Sequence, residues 1–223
     1  MKYRKVVKGK FIDRPNRFVA HVELEGRMET VHVKNTGRCR EILLPGTEVI
    51  LAEGENPNRK TKYDLVAAYK KDFGLINIDS QAPNLVVKEW LARQDFDVVK
   101  PEYTYGESRI DFYMERGKER FLMEVKGCTL EIDGVGFFPD APTERGVKHL
   151  RELAAATGKG YHCILAFVIQ MEGIREVRPY TVMHPAFGTA LEEAVEKGVE
   201  VLFLQCHVEE DGFSIIEKPL YGG

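Results

Sequence analysis

The sequence predicts a two-part α+β protein, a small β-barrel followed by a mixed α/β domain. Three observations predict it. Up to about residue 80, short runs of alternating apolar and polar residues are separated by Gly- and Pro-containing turns, the pattern of half-buried strands. From Asn84 onward, segments with helical spacing of apolar residues alternate with strand-like runs, the pattern of a sheet covered by helices. Charge divides near the same place. Residues 1–71 hold 16 Lys and Arg against 9 Asp and Glu, and the remainder holds 16 against 26, so a basic module precedes an acidic one.

In the first part, residues 18–24 alternate and end at Gly26, residues 30–33 alternate again, and residues 47–52 follow a Pro45-Gly46 turn. Residues 65–69 and 75–78 complete a set of about five strands. Five short strands in so few residues predict a barrel of the OB type, although an SH3-like barrel fits the same pattern. This part is assigned to residues 1–82 and is a candidate nucleic-acid-binding domain.

The second part, residues 83–223, opens with a helix over 84–94, for which Asn84 is the expected N-cap. Strands follow over 98–105, 108–115 and 119–130. A loop, GVGFFPDAPTE, leads to a helix over 143–157 with the apolar stripe Val147, Leu150, Leu153, Ala154. Residues 161–170 are almost wholly apolar, as a central buried strand is. A third helix over 185–197 and strands over 199–208 and 213–216 close the order α-β-β-β-α-β-α-β-β.

The chain of 223 residues, 43% hydrophobic, is long enough for a real core in each part. It holds no run of about 18 apolar residues, so no membrane span or membrane partner is expected. The basic start MKYRKVVKGKF lacks the apolar stretch of a signal peptide, which predicts a cytoplasmic protein. Cys39, Cys128, Cys163 and Cys206 lie too far apart to suggest a disulfide framework or a cysteine zinc site.

The stretch SRIDFYMERGKERFLMEVKG, residues 108–127, carries the chemistry. With Gly117-Lys118 as a two-residue turn of type II′, Asp111 falls opposite Glu124 and Arg109 opposite Lys126. Directly opposed residues bring their Cβ atoms within about 4.5–5.5 Å, and Glu124 and Lys126 share one face by the period of two. Ile110, Phe112, Met123 and Val125 fall on the other face. Two opposed carboxylates repel, and a divalent cation removes that cost. Asp111 and Glu124 are therefore the candidate metal ligands, for Mg2+ or Mn2+. Lys126 completes a catalytic trio suited to metal-assisted phosphodiester hydrolysis. The same residues also make a plain surface cluster in which Lys126 neutralises both acids, and spacing does not separate the two.

The α-β-β-β-α-β order around this motif resembles the core of the PD-(D/E)XK nuclease superfamily. In that fold the first helix often contributes a further acid, which makes Glu89 a third candidate ligand. Asp140, Thr143, Arg145 and His149 cluster around the start of the second helix, whose free N–H groups suit phosphate. With Gln170, at the end of the buried strand, they form a supporting set.

A wider resemblance covers nearly the whole chain. RPNRFVAHV (14–22), HVKNTGRCREILLPG (32–46), NRKTKYDL (58–65), SRIDFYM (108–114), MEVKGCTL (123–130), FPDAPTERGVKHLREL (138–153) and FVIQ (167–170) look like the sugar fermentation stimulation protein family (SfsA). One departure is visible: that family more often has Pro-Asn-Thr-Gly-Arg-Met where this chain has Lys34 to Cys39, with the NTGR core intact. The resemblance implies an OB-like domain, a PD-(D/E)XK-like domain, DNA as partner and a link to regulation of sugar, especially maltose, metabolism. It carries the metal and catalytic roles onto Asp111, Glu124 and Lys126.

For DNA contact the basic first part offers Arg14, Arg17, Arg38, Arg40, Arg59, Lys60 and Lys62, with Asn35 and Thr36 in the NTG turn. Contacts to phosphates predict salt-dependent binding without strong sequence specificity. A non-catalytic DNA-binding regulator keeping the nuclease fold is the alternative, and an RNA-directed role a third. A helix-turn-helix over 187–206 is disfavoured, because residues 199–208 read as a strand. The sequence leaves the oligomeric state open, a homo-oligomer included.

Overall fold

The computed structural model describes residues 1–35, 37–54, 56 and 58–216. Its first part is a barrel of five strands: β1 (Val6–Asn16), β2 (Val19–Leu24), β3 (Arg27–Val33), β4 (Glu48–Glu53) and β5 (Tyr63–Lys70). Strands β1 to β3 form an antiparallel meander, β4 pairs with β1 on its other side, and β5 pairs with β4. Parallel pairing of His32 with Asp64 and Val33 with Leu65 joins β3 to β5 and closes the ring 1-2-3-5-4. That is the OB order, and it excludes the SH3-like alternative. Closure removes the edges and encloses Val22, Val31, Val49, Leu51 and Leu65, all fully buried. A sixth strand, β6 (Gly74–Asn77), lies outside the ring on β5.

The long strand β1 is absent from the sequence expectation. Its inward position 9 is glycine, flanked by exposed Lys8 and Lys10, so apolar alternation does not show. A Cβ at Gly9 would stand 3.0 Å from the Glu23 carbonyl. Register breaks between Phe11 and Asn16 let one strand serve two neighbours around the ring.

In the second part a six-stranded sheet runs in the order β15-β14-β12-β9-β8-β7. It comprises β7 (Val98–Tyr105), β8 (Ser108–Arg116), β9 (Glu119–Cys128), β12 (His162–Ile169), β14 (Glu200–Glu209) and β15 (Gly212–Ile215). The antiparallel meander β7-β8-β9 meets β12 and β14 through parallel pairing. Helix α1 (Ala82–Leu91) packs one face with Phe112, Met123, Val125 and Ile164. Helices α2 (Glu144–Thr157) and α3 (Pro185–Glu196) cover the other, with Leu122, Leu165 and Phe167. This is the PD-(D/E)XK-like arrangement. The apolar β12, parallel to both neighbours, is the central strand expected.

Several boundaries differ. The strand expected to run to residue 130 ends at Cys128, and β10 (Leu130–Ile132), β11 (Val135–Phe138) and β13 (Val177–Pro179) form a small separate sheet. Helix α3 is followed by strand β14, so no recognition helix exists over 187–206. Among the described residues no helix is long and apolar enough to cross a membrane.

Polar contacts join the two parts. Asn77 and Gln170 exchange bonds, with Asn77 N donating to Gln170 O at 2.9 Å and Gln170 Nε2 to Asn77 Oδ1 at 3.0 Å. Tyr3 N donates to Asp211 O at 2.6 Å, and Lys2 pairs with Glu209 and Asp211 on the β14–β15 hairpin.

Candidate active site

Strands β8 and β9 pair in the expected register, from Arg116 opposite Glu119 to Phe112 opposite Met123, with Gly117 at φ +59° in the turn. At the next rung the Asp111 side chain takes over the bonding. Its Oδ2 accepts from the Val125 amide at 2.7 Å, and its Oδ1 accepts from Asn84 Nδ2 at 2.8 Å. On the other side of β8, Glu102 of β7 adopts φ +53° and its rung is missing between Pro101–Phe112 and Tyr103–Ile110. Asp111 thus sits where both neighbouring strands leave regular pairing, which turns its carboxylate toward the start of α1.

Glu124 is 2% exposed. Its Oε1 accepts from Lys126 Nζ at 2.5 Å and from Nδ1 of His149, which reaches over from α2. His149 Nε2 in turn accepts from Arg145 Nε at 3.3 Å, so the bond network assigns the ring proton to Nδ1. The second oxygen of Glu124, Oε2, is buried without a hydrogen-bond partner.

The two acids are shifted in opposite directions. Burial pushes the Glu124 carboxyl up, but the His149 bond and the Lys126 charge outweigh it and hold it below its ordinary range. Burial and the neighbouring Glu124 charge push Asp111 up, and the Val125 amide, Lys126 and Asn84 offset this only in part. A bare carboxylate oxygen in the interior is costly, and so is the repulsion between the two acids. A divalent cation would relieve both, so the residues fit one. Among the described residues no set of three His, Cys, Asp or Glu side chains gathers to hold a metal. The cation would keep waters or phosphate oxygens in its remaining positions, as Mg2+ commonly does.

Glu89 does not join this group. It is half exposed and pairs with the Met1 amine at 2.8 Å. Five residues turn an α-helix by about 500°, or 140° net, so Asn84 and Glu89 cannot both face Asp111. Asn84 does so. Its expected role as N-cap passes upstream because α1 begins at Ala82, with Pro83 in its first turn. The signal for Asn84 was therefore present in the adjacent proline.

The supporting residues divide. Thr143 is the N-cap of α2, accepting from Gly146 N at 3.1 Å. Arg145 and His149 reach Glu124 as a relay. Asp140, in the loop between β11 and α2, lies against Gly37 of the barrel, and burial pushes its carboxyl up despite Arg14 and Arg38 nearby. Gln170 bonds the segment between β6 and α1 rather than the two acids.

Among the basic residues, Arg14, Arg17, Arg38 and Arg40 line a cleft of about 640 Å3 between the barrel and the loop from Phe138 to Thr143. Arg17 lies 6.0 Å over the ring of exposed Phe18. Lys60 is exposed and Lys62 sits 4.9 Å over the Tyr63 ring. Arg14 and Arg59 are used within the fold. Arg14 donates to the carbonyls of Arg17, Asn35, Gly37 and Arg38 at 2.5–3.0 Å. Arg59 grips Asp64 with two nitrogens. Asn35 is buried, bonding Ile78 O and Gly37 N. Thr36 lies outside the described residues.

Comparison with known proteins agrees with this architecture. A profile described as the SfsA N-terminal OB domain matches residues 12–78, and one described as the sugar fermentation stimulation protein RE domain matches residues 81–212. The sugar fermentation stimulation protein homolog of Desulfitobacterium hafniense (strain DSM 10664 / DCB-2) is 51% identical over 95% of this chain and 93% of its own length. That of Clostridium beijerinckii is 48% identical over 96% of each. Among solved structures, Pyrococcus furiosus SfsA in complex with Ca2+ superposes with a TM-score of 0.84 at 29% identity, covering 97% of this chain and 94% of that one. With both domains matched in order and relatives similar over nearly their full length, the chain belongs to the sugar fermentation stimulation protein family, SfsA.

Proposed function

We propose that this chain binds DNA along the arginine-lined cleft and hydrolyses its phosphodiester bonds at Asp111, Glu124 and Lys126, with Mg2+ or Mn2+ as cofactor. The observation that carries the reading is the buried, unpartnered Glu124 Oε2 in a group that also holds Asp111 and an ammonium. The Ca2+ complex of the Pyrococcus furiosus relative supports a divalent cation in this fold.

Hydrolysis adds one water. Its oxygen bonds to phosphorus, the bond from phosphorus to the leaving sugar oxygen breaks, one proton ends on that oxygen and the other passes to solvent. When bound, the cation supplies Lewis-acid stabilisation of charge on the phosphate. The Lys126 ammonium, held by Glu124, adds positive charge beside the phosphate where negative charge grows. The His149 and Arg145 relay fixes the Glu124 carboxylate, and Asn84 with the Val125 amide fixes that of Asp111. Arg17, Arg38 and Arg40 take backbone phosphates, which gives affinity without strong sequence specificity.

One observation favours a second reading, a non-catalytic DNA-binding regulator of sugar metabolism. Lys126 and His149 already meet one oxygen of Glu124, so much of the local charge is balanced from within. The discriminating experiment incubates purified protein with single-stranded, duplex and branched DNA and Mg2+ or Mn2+. Cleavage is expected, and Asp111→Asn or Lys126→Ala lowers it about 100-fold or more while DNA binding survives. Intact DNA of every form sinks the nuclease reading. Binding unmoved between 50 and 200 mM salt argues against DNA as the partner under either reading.

A further inference from the structure

The arginine-lined cleft continues past Asp140. Asp140 and Gly37 also line a smaller cavity of about 170 Å3, room for roughly five waters at ~30 Å3 each. Gly127, the residue after Lys126, forms another wall, so the cavity adjoins the candidate active site on one side and the cleft on the other.

Its polar groups are mainly acceptors. Gln170 Nε2 donates to Asn77 O, Asn77 Oδ1 and Asp79 O at 3.0–3.1 Å, which orients the amide and turns Oε1 toward Gly127. A Cβ on Gly127 would collide with that oxygen. Asn35 Nδ2 is bonded to Ile78 O, and the Ser80 hydroxyl donates to Lys34 O at 2.8 Å. The amide donors of Gln170 and Asn35 and the Ser80 hydroxyl proton are thus used within the fold, while the oxygens of Gln170 and Ser80 remain and the Thr129 hydroxyl, also on the wall, can donate or accept. Asp140 adds a carboxylate bonded by its own backbone amide and by no side chain among the described residues.

We propose that this cavity receives one extruded base, guanine, from the strand whose phosphates lie on Arg17, Arg38 and Arg40. Asp140 accepts from guanine N1–H and the 2-amino group. Guanine alone among the four bases presents two adjacent donors on one edge, the spacing a carboxylate accepts in parallel. Cytosine and adenine place a ring acceptor beside their amine, and thymine flanks its imino group with two carbonyls. The inference rests on the DNA-binding reading above and adds base selection next to the scissile bond.

The test uses the full chain in EDTA, so that cleavage plays no part. Short single-stranded oligonucleotides of thymine carry guanine, adenine, cytosine, thymine or hypoxanthine at the centre. The guanine strand is expected to bind about tenfold more tightly than the rest. Hypoxanthine, which lacks the 2-amino group, falls with the others. Asp140→Asn removes the preference, bringing the guanine strand to within about twofold of the thymine strand. Five affinities within twofold of one another overturn the proposal, as does a guanine preference that survives in folded Asp140→Asn protein, or binding that appears only when Ca2+ or Mn2+ replaces EDTA. If Asp140→Asn fails to fold, the comparison of guanine with hypoxanthine on the natural chain decides alone. Absence of cleavage would refute the nuclease reading and leave this measurement intact.

Discussion

Replacing Arg14 separates a structural arginine from a DNA-contacting one. Its guanidinium donates to four main-chain carbonyls, of Arg17, Asn35, Gly37 and Arg38. The bonds to Asn35 and Gly37 are part-buried, and the bonds to Arg17 and Arg38 are exposed. Exposed carbonyls rehydrate, so only the part-buried two carry a large cost, about 1.5 kcal/mol each for bonds to a charged donor. Arg14→Met is therefore expected to cost about 3 kcal/mol. For a chain of this size 1 kcal/mol moves the midpoint by about 2–4 °C, so the Tm of the whole chain falls by about 6–12 °C. Arg14→Lys fares little better, because a single ammonium cannot reproduce the planar fork. Thermal denaturation measures the first effect. The salt dependence of DNA binding measures the second: a residue that touches no phosphate leaves the slope of log K against log salt where it was, whereas losing one phosphate contact reduces it by about 0.9. An unchanged Tm combined with a slope reduced by that amount would refute the assignment.

Further predictions follow the same logic. Asp64, gripped by Arg59 and His32, is pushed up by burial but held below its ordinary carboxyl range by those partners; its stabilisation is present above the unfolded pKa of about 3.9 and lost as pH falls through the lower folded value. The Tm gap between the natural chain and Asp64→Asn should thus hold steady from pH 7 to 5 and close in stronger acid; a gap that widens in acid contradicts it. Thr143→Ala removes the N-cap of α2 and should cost about 1 kcal/mol, read by urea denaturation, with Thr143→Ser restoring most of it. Gly37→Ala forces a Cβ into the Asp140 carboxylate and against Asn35 Oδ1, so it should abolish guanine preference and lower Tm, and retention of that preference would show that Asp140 does not read the base.

How far the site was legible depended on what each signal encodes. The β8–β9 register could be counted because a glycine turn and two apolar faces fix it, and Glu124 with Lys126 came out on one side. The route of Asp111 to Asn84 could not, since it depends on the irregular rung at Glu102 in the neighbouring strand β7. Glu89 is an acid on the right helix, but helical rotation, not residue type, decides which side chain faces the sheet. A guanidinium bound to carbonyls looks in sequence like one waiting for phosphate, which is why Arg14 and Arg59 stood beside Arg17 and Arg38. Strand β1 was hidden because its inward position is a glycine among lysines. The cavity at Asp140 joins residues from both parts, and no local pattern announces it.

The amide of Gln170 has a bearing on the order in which the molecule is built. It ties down Asn77 and Asp79, residues 93 and 91 positions earlier in the chain. The barrel closes through contacts within its first 70 residues, so it can form while the rest is still being made. The angle between barrel and sheet has no such early anchor. It is set when the strand ending at Ile169 has found its place beside β9 and delivers Gln170 to the waiting loop. Loop closure over so long a separation is slow. Completion of the cleft therefore waits on contacts between distant parts of the chain, those of Gln170 with Asn77 and Asp79 and of Tyr3 with Asp211 among them.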